Sequence, residues 1–161
     1  MADPGGRADP LELGGQDETY LGFDYGEKNI GVAVGQRVTG TATGIETIRV
    51  HSQASKWHAI ERLVETWHPS GFVVGLAYQP DGSENPITRP TLKFCRQLEG
   101  RFGLPVHTMD EQLSTMESRQ IFYQHRNKRS AEFIDYKDSL AAQLILQTWL
   151  SHSADHKPIH D

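Results

Sequence analysis

Cys95 is the only cysteine in these 161 residues. No disulfide can form within the chain, and the reducing cytoplasm is the expected compartment. No apolar run approaches the roughly 20 residues that a helix needs to cross a bilayer, so no membrane partner is expected. An excess of positive charge is missing too. The formal net charge is −5, whereas a domain built mainly to hold nucleic acid shows a surplus of Lys and Arg. That deficit is local. Residues 1–19 carry −4 and residues 152–161 carry −1, so the part between is neutral and can keep acids in one place and bases in another. Apolar residues are scarce at 37%, partly because both ends dilute them. The first 19 residues are Gly-, Pro- and acid-rich, have no sustained period and lack the apolar segment of a signal peptide. They read as a disordered leader, and 152–161 as a flexible tail, around one domain over 20–151.

What is present is most concentrated in LGFDYGEKNIGVAVG, residues 21–35. It places one carboxylate, Asp24, inside an apolar strand just before a tight turn. A carboxylate there must be paired, hydrogen-bonded or bound to metal. Gly22 and Gly26 clear side chains on either side, so another group can approach closely. On these residues alone Asp24 is either a functional acid or an acceptor for backbone N–H groups in the turn.

The pattern predicts strands over 20–25 and 29–35 as a hairpin, and a Thr- and Ile-rich third strand over 39–50. The period then changes: Trp57, Ile60, Val64 and Trp67 recur at helical spacing over 55–68. The continuously apolar GFVVGL, 71–76, reads as a strand covered on both faces. A polar loop over 78–89 precedes a helix from Pro90 to Gly103, a strand over 104–109, and a helix opened by the capping box Ser114–Glu117 that runs to His125. A basic linker over 126–133 leads into a last, broadly apolar helix over 134–150. Three strands followed by strand–helix crossovers imply an α/β fold: a mixed five-stranded sheet with helices on both faces.

Three acids sit at element ends in this scheme. Asp24 closes the first strand, Glu111 follows the 104–109 strand beside Asp110, and Asp138 opens the last helix. If the first and last strands run parallel, their C-terminal ends share the edge where open α/β sheets bind ligands. Asp138 shares a helix face with Ala142, Ile145 and Trp149, which turns it toward the sheet. Three converging carboxylates suit Mg²⁺ or Mn²⁺, and two such ions about 4 Å apart can activate water against a phosphodiester. Each acid also has a plainer role: Asp110 or Glu111 as a helix cap, Asp138 as a complement to its own helix dipole.

The segments DYGEKNIGVAVG, VVGLAYQPDGS, PVHTMDEQLSTMES and KDSLAAQLILQTWL, in this order, resemble the YqgF family, also called RuvX. The resemblance spans residues 20–150. It implies an RNase H-like fold with sheet order 3-2-1-4-5. It also implies a nuclease for Holliday junctions or for precursor 16S ribosomal RNA. Position by position, Asp24 matches the family's first-strand aspartate, Glu111 the glutamate of its DERLST-type motif, and Asp138 the aspartate of its last helix. Two residues depart from the pattern: Gln112 stands where the family has Arg, and Ala77 where it has Pro. Losing the guanidinium removes a bidentate phosphate contact, for which Lys28, Arg89, Lys93 and Arg119 are replacements.

Arg126, Lys128 and Arg129 form a basic patch that is either a solvated loop or a clamp on a nucleic-acid backbone. The loop 80–89 either covers substrate or is plain surface. His152, His156 and His160 recur every four residues in the tail and read as disordered. Trp57 and Trp67 read as core rather than as stacking platforms.

The expectation is thus a Mg²⁺- or Mn²⁺-dependent endonuclease, monomeric or homodimeric, with Asp24, Glu111 and Asp138 as catalytic metal ligands. Lys28, Arg89, Arg126, Lys128 and Arg129 would be its nucleic-acid contacts. Its substrate is the 5′ end of precursor 16S rRNA, met on a ribosomal subunit, with branched DNA as the alternative. A non-catalytic RNA- or ribosome-binding module is the reading from another class. An actin-like ATPase or sugar kinase, which also opens on an Asp-x-Gly hairpin, would need a second half that this chain lacks.

Overall fold

The computed structural model describes residues 18–110 and 130–155, with side chains of the last helix from Lys137 to His152. The elements are β1 (Thr19–Asp24), β2 (Asn29–Gln36), β3 (Thr41–Arg49), α1 (Gln53–Trp67), β4 (Gly71–Leu76), α2 (Thr88–Phe102), β5 (Val106–Asp110) and α3 (Ser130–Asp155). The strands form one sheet in the order β3-β2-β1-β4-β5, the expected 3-2-1-4-5. β1, β2 and β3 pair antiparallel, while β4 is parallel to both β1 and β5.

Two apolar layers enclose this sheet. On one face Phe23, Ile30 and Phe72 pack with Trp57 and Ile60 of α1 and Phe94 and Leu98 of α2. On the other, Tyr20, Ala33, Val73 and Met109 pack with Ala142, Ile145 and Leu146 of α3. Each large side chain so buried contributes roughly 1.5–3 kcal/mol. β4 is buried at every position, which is why its sequence shows no alternation.

The α3 face of β1–β3 is floored with small residues, and the helix lies almost on the backbone. A Cβ at Gly31 would stand 1.9 Å from the Asp138 carbonyl oxygen, and one at Gly44 would stand 2.6 Å from that of Ser139. The helix also protects the sheet edge. Gln143 Oε1 accepts from the Gly44 N–H at 2.9 Å, Gln147 Oε1 accepts from the Ala42 N–H at 3.0 Å, and Gln147 Nε2 donates to the Gly40 carbonyl at 2.6 Å. Two N–H groups of the edge strand, those of Ala42 and Gly44, are thereby occupied.

Boundaries moved where caps outweighed periodicity. α1 begins at Gln53 because Ser52 and Ser55 form a reciprocal capping box, and it ends where His68 turns left-handed at φ 47° before Pro69. α2 begins at Thr88, two residues before Pro90. Its Oγ is buried and bonds the Ala77 carbonyl, which ties the helix start to the end of β4. The largest correction concerns α3. It starts at Ser130, inside the stretch expected to be a linker, and extends to Asp155. The expected helix from Ser114 to His125 lies outside the described residues. Of the tryptophans, Trp57 is core, but Trp67 is 36% exposed. No described helix is long and apolar enough to cross a membrane.

Candidate metal and nucleic-acid site

β1, β4 and β5 are parallel, so Asp24, Leu76 and Asp110 close their strands at one edge of the sheet. Alternation sorts the side chains there. Tyr20 packs on α3, and the missing Cβ of Gly22 would meet Leu146 at 2.8 Å. Asp24, two residues on, therefore shares the α3 face. Directly across from Asp24 in the antiparallel pair stands Gly31, the residue over which the Asp138 backbone lies. Asp24 and the Asp138 backbone, 114 positions apart in sequence, thus lie on either side of one glycine.

Asp138 reaches this place differently from the sequence expectation. It does not open its helix but lies in the third turn of α3, counted from Ser130. The helix dipole acts within the first turn, so complementing that dipole does not explain the acid. Glu111, the next residue after β5, lies outside the described residues, as do Arg126, Lys128 and Arg129. Among the described residues no three His, Cys, Asp or Glu form a metal-binding group. The donor chemistry of Asp24 and Asp138 nevertheless fits a divalent cation: both offer hard carboxylate oxygens at one sheet edge, with a Cβ-free floor between them.

The two described cations expected to bind nucleic acid are differently placed. Lys28 is exposed in the β1–β2 turn, where its carbonyl accepts from Val50 N–H at 2.9 Å. Arg89 is exposed and pairs with Glu84 at 2.8 Å. Such surface pairs are weak enough to exchange for a phosphate. The 80–89 loop is pinned internally. Asp81 Oδ1 accepts from both the N–H and the hydroxyl of Ser83, which holds its carboxyl below the usual range. Burial pushes the Cys95 thiol up to about 11, so it offers no thiolate nucleophile. His152 sits in the last turn of α3, with Nδ1 3.3 Å from the Thr148 carbonyl.

Tyr25 follows Asp24 and turns to the opposite face. There it lines a cavity of about 480 Å³ with Gln53, Lys56, Lys93 and Arg96. Lys56 escaped the sequence reading. The available signal was a lysine in register with Ile60 and Leu63 on the buried stripe of α1.

Comparison with known proteins settles the family. The model of the family described as "RuvX: Holliday junction resolvase" matches residues 18–152. The chain belongs to the RuvX family. With the observed fold, that membership makes it a phosphodiester-cleaving hydrolase. A RuvX relative from Methylococcus capsulatus, named "Putative pre-16S rRNA nuclease", is 64% identical over 133 residues, covering 83% of this chain and 88% of the relative. One from Coxiella burnetii, with the same name, is 44% identical over 135 residues, covering 84% and 94%. Among solved structures, Thermus thermophilus RuvC in complex with a Holliday junction superposes with a TM-score of 0.56 at 16% identity, over 88% of this chain and 99% of that one. The fowlpox virus resolvase superposes with a TM-score of 0.52 at 14% identity, over 83% and 97%. These two likenesses show that the fold is the RNase H-like one expected.

Proposed function

We propose that this RuvX chain is a divalent-metal-dependent endonuclease acting at the 5′ end of precursor 16S rRNA. The observation that supports the reading is the close approach of the Asp138 backbone to Gly31, the residue directly opposite Asp24 at the C-terminal edge of the sheet. In this reading, Asp24, Asp138 and Glu111 would hold Mg²⁺ or Mn²⁺, and the ion would supply Lewis-acid activation of the phosphodiester and of the attacking water. The residues do the rest. The sheet would hold Asp24 and the glycine floor would hold the Asp138 backbone beside it, so both acids are preorganised for the charge that develops. Lys28 and, once released from Glu84, Arg89 bind flanking phosphates and hold the scissile bond over the acids. Arg126, Lys128 and Arg129 add a second clamp. The RNA is met in an assembling ribosomal subunit, in the cytoplasm.

The names carried by the relatives favour precursor rRNA. The family description favours a second reading, a four-way DNA junction. Carboxylates on the phosphate serve either; 2′-hydroxyl and shape readout separate them. Incubating the protein with Mn²⁺ and two labelled substrates, a precursor 16S 5′ fragment and a mobile four-way junction, decides between them. Cleavage of the RNA at a defined site with the junction intact is the expected result. Symmetrical nicking of the junction alone would replace rRNA processing by junction resolution. Tight RNA binding without cleavage of either would mark a non-catalytic binding module.

A further inference from the structure

The cavity beside Tyr25 collects charge of one sign. Lys56, Arg89, Lys93 and Arg96 line it against a single acid, Glu27. Lys56 is 4% exposed. Its ammonium sits over the rings of Trp57 at 5.0 Å, Phe94 at 5.7 Å and Tyr25 at 5.9 Å, and it has no hydrogen-bond or ion-pair partner among the described residues. Burial, then the neighbouring charges of Arg101 and Lys93, pull its pKa down. A buried cation facing other cations is costly unless an anion completes the group. The two helices that flank the cavity begin at it. Gln53 is the first residue of α1 and Thr88, beside Arg89 and Pro90, the first of α2, and neither helix has an acid in its first turn. The α1 end is closed by the Ser52–Ser55 capping box, whereas the α2 end has no side-chain cap and adds its positive potential to the cavity.

We propose that this cavity is a second phosphate-binding subsite, which grips the nucleic-acid strand next to the scissile bond from the face of the sheet opposite α3. The proposal rests on the nuclease reading. Asp24 and Tyr25 are consecutive and face opposite sides of one sheet edge. A strand crossing that edge presents one phosphate to the acids and a neighbouring one to Lys56, Lys93 and Arg96. The Tyr25 ring in the wall gives an adjoining base a surface to stack on. The contact is to phosphate and aromatic face, so it adds affinity without sequence preference.

The test is equilibrium binding of a fluorescent single-stranded oligoribonucleotide in EDTA at several salt concentrations. Without metal, binding is read apart from cleavage, so loss of this subsite and loss of nuclease activity are scored separately. Lys93→Gln/Arg96→Gln changes two exposed residues. It is expected to weaken binding roughly tenfold or more and to reduce the slope of log K against log salt by about 1.4, two single-strand phosphate contacts. Lys56→Met should weaken binding similarly without lowering Tm. Affinity and slope equal to the parent's in the double variant would overturn the proposal, as would a Lys56→Met variant that loses binding only together with its Tm. A parallel arm uses inorganic phosphate. If millimolar phosphate raises the parent's Tm but not the double variant's, while oligonucleotide binding is equal in both, the cavity serves free phosphate and the strand assignment is wrong.

Discussion

Gly31 is the residue on which the site depends most directly. It lets the Asp138 backbone lie against β2 and stands opposite Asp24. Gly31→Ala would put a methyl 1.9 Å from a backbone oxygen, which only a shift of α3 can relieve. Overpacking of this kind costs about 3 kcal/mol or more, and Tm should fall by roughly 6–12 °C. The same change at Gly100, where nothing lies within 4 Å on the surface of α2, should raise Tm slightly, since Ala is the better helix former. Thermal unfolding of the two variants checks both signs. If Gly31→Ala melts with the parent, the close approach is not what seats α3. His107 makes a second prediction. It packs against Trp149 at 4.8 Å and edge-on to Tyr20 at 6.2 Å. Burial first, then the Arg37 charge, hold its pKa down, partly offset by Glu18. The unfolded chain therefore takes up this proton before the folded one does. Stability should be flat above about pH 6.5, the ordinary histidine value, and fall as pH drops below it. His107→Gln should flatten Tm over that acid window, whereas an unchanged slope would assign the loss to other groups.

At the scale of elements, α3 carries the most information, and its seat on β3 can be tested. Gln147 satisfies two backbone groups there, the Ala42 N–H and the Gly40 carbonyl. Gln147→Ala leaves both without that partner and should cost about 1–3 kcal/mol. Gln147→Glu keeps an acceptor for Ala42 but no donor for Gly40, so its loss should be smaller. Chemical denaturation of the pair would reject the edge-capping role if the two variants lost equal stability. The strands, the crossovers and the helices α1 and α2 were legible in the sequence, because period 2, period 3.6 and Gly/Pro punctuation agree there. The start of α3 was not. Arg126 to Phe133 is polar and without an apolar stripe, yet α3 begins at Ser130, where helix propensity and continuity with the packed turns outweigh pattern. The two glutamines were equally illegible, since only the register of β3 reveals what they bond.

Across the whole molecule, the sheet separates two surfaces that share one edge. Asp24 opens onto the α3 side and Tyr25 onto the side of α1 and α2. Asp24 stood out in the sequence because a carboxylate within an apolar strand demands an explanation, whereas the place of Asp138 in the third turn of its helix did not. The basic cavity was not, because its cations come from two helices and a turn that only the fold brings together. A divalent ion that binds only the folded state should stabilise this arrangement. At a hundredfold excess over Kd the gain is about 2.7 kcal/mol, or roughly 5–10 °C in Tm, and Asp24→Asn/Glu111→Gln/Asp138→Asn should lose it. An equal shift in that variant would place the ion elsewhere. The most direct measurement is the rate of Mn²⁺-dependent cleavage of a labelled precursor 16S fragment by the parent and by Asp24→Asn, with matched melting curves. Asp24→Asn removes one charged ligand with little change in volume, and the rate should fall by about two orders of magnitude or more at unchanged metal-free Tm. A folded Asp24→Asn protein that cleaves at the parent's rate would contradict the assignment of this carboxylate, and with it the site.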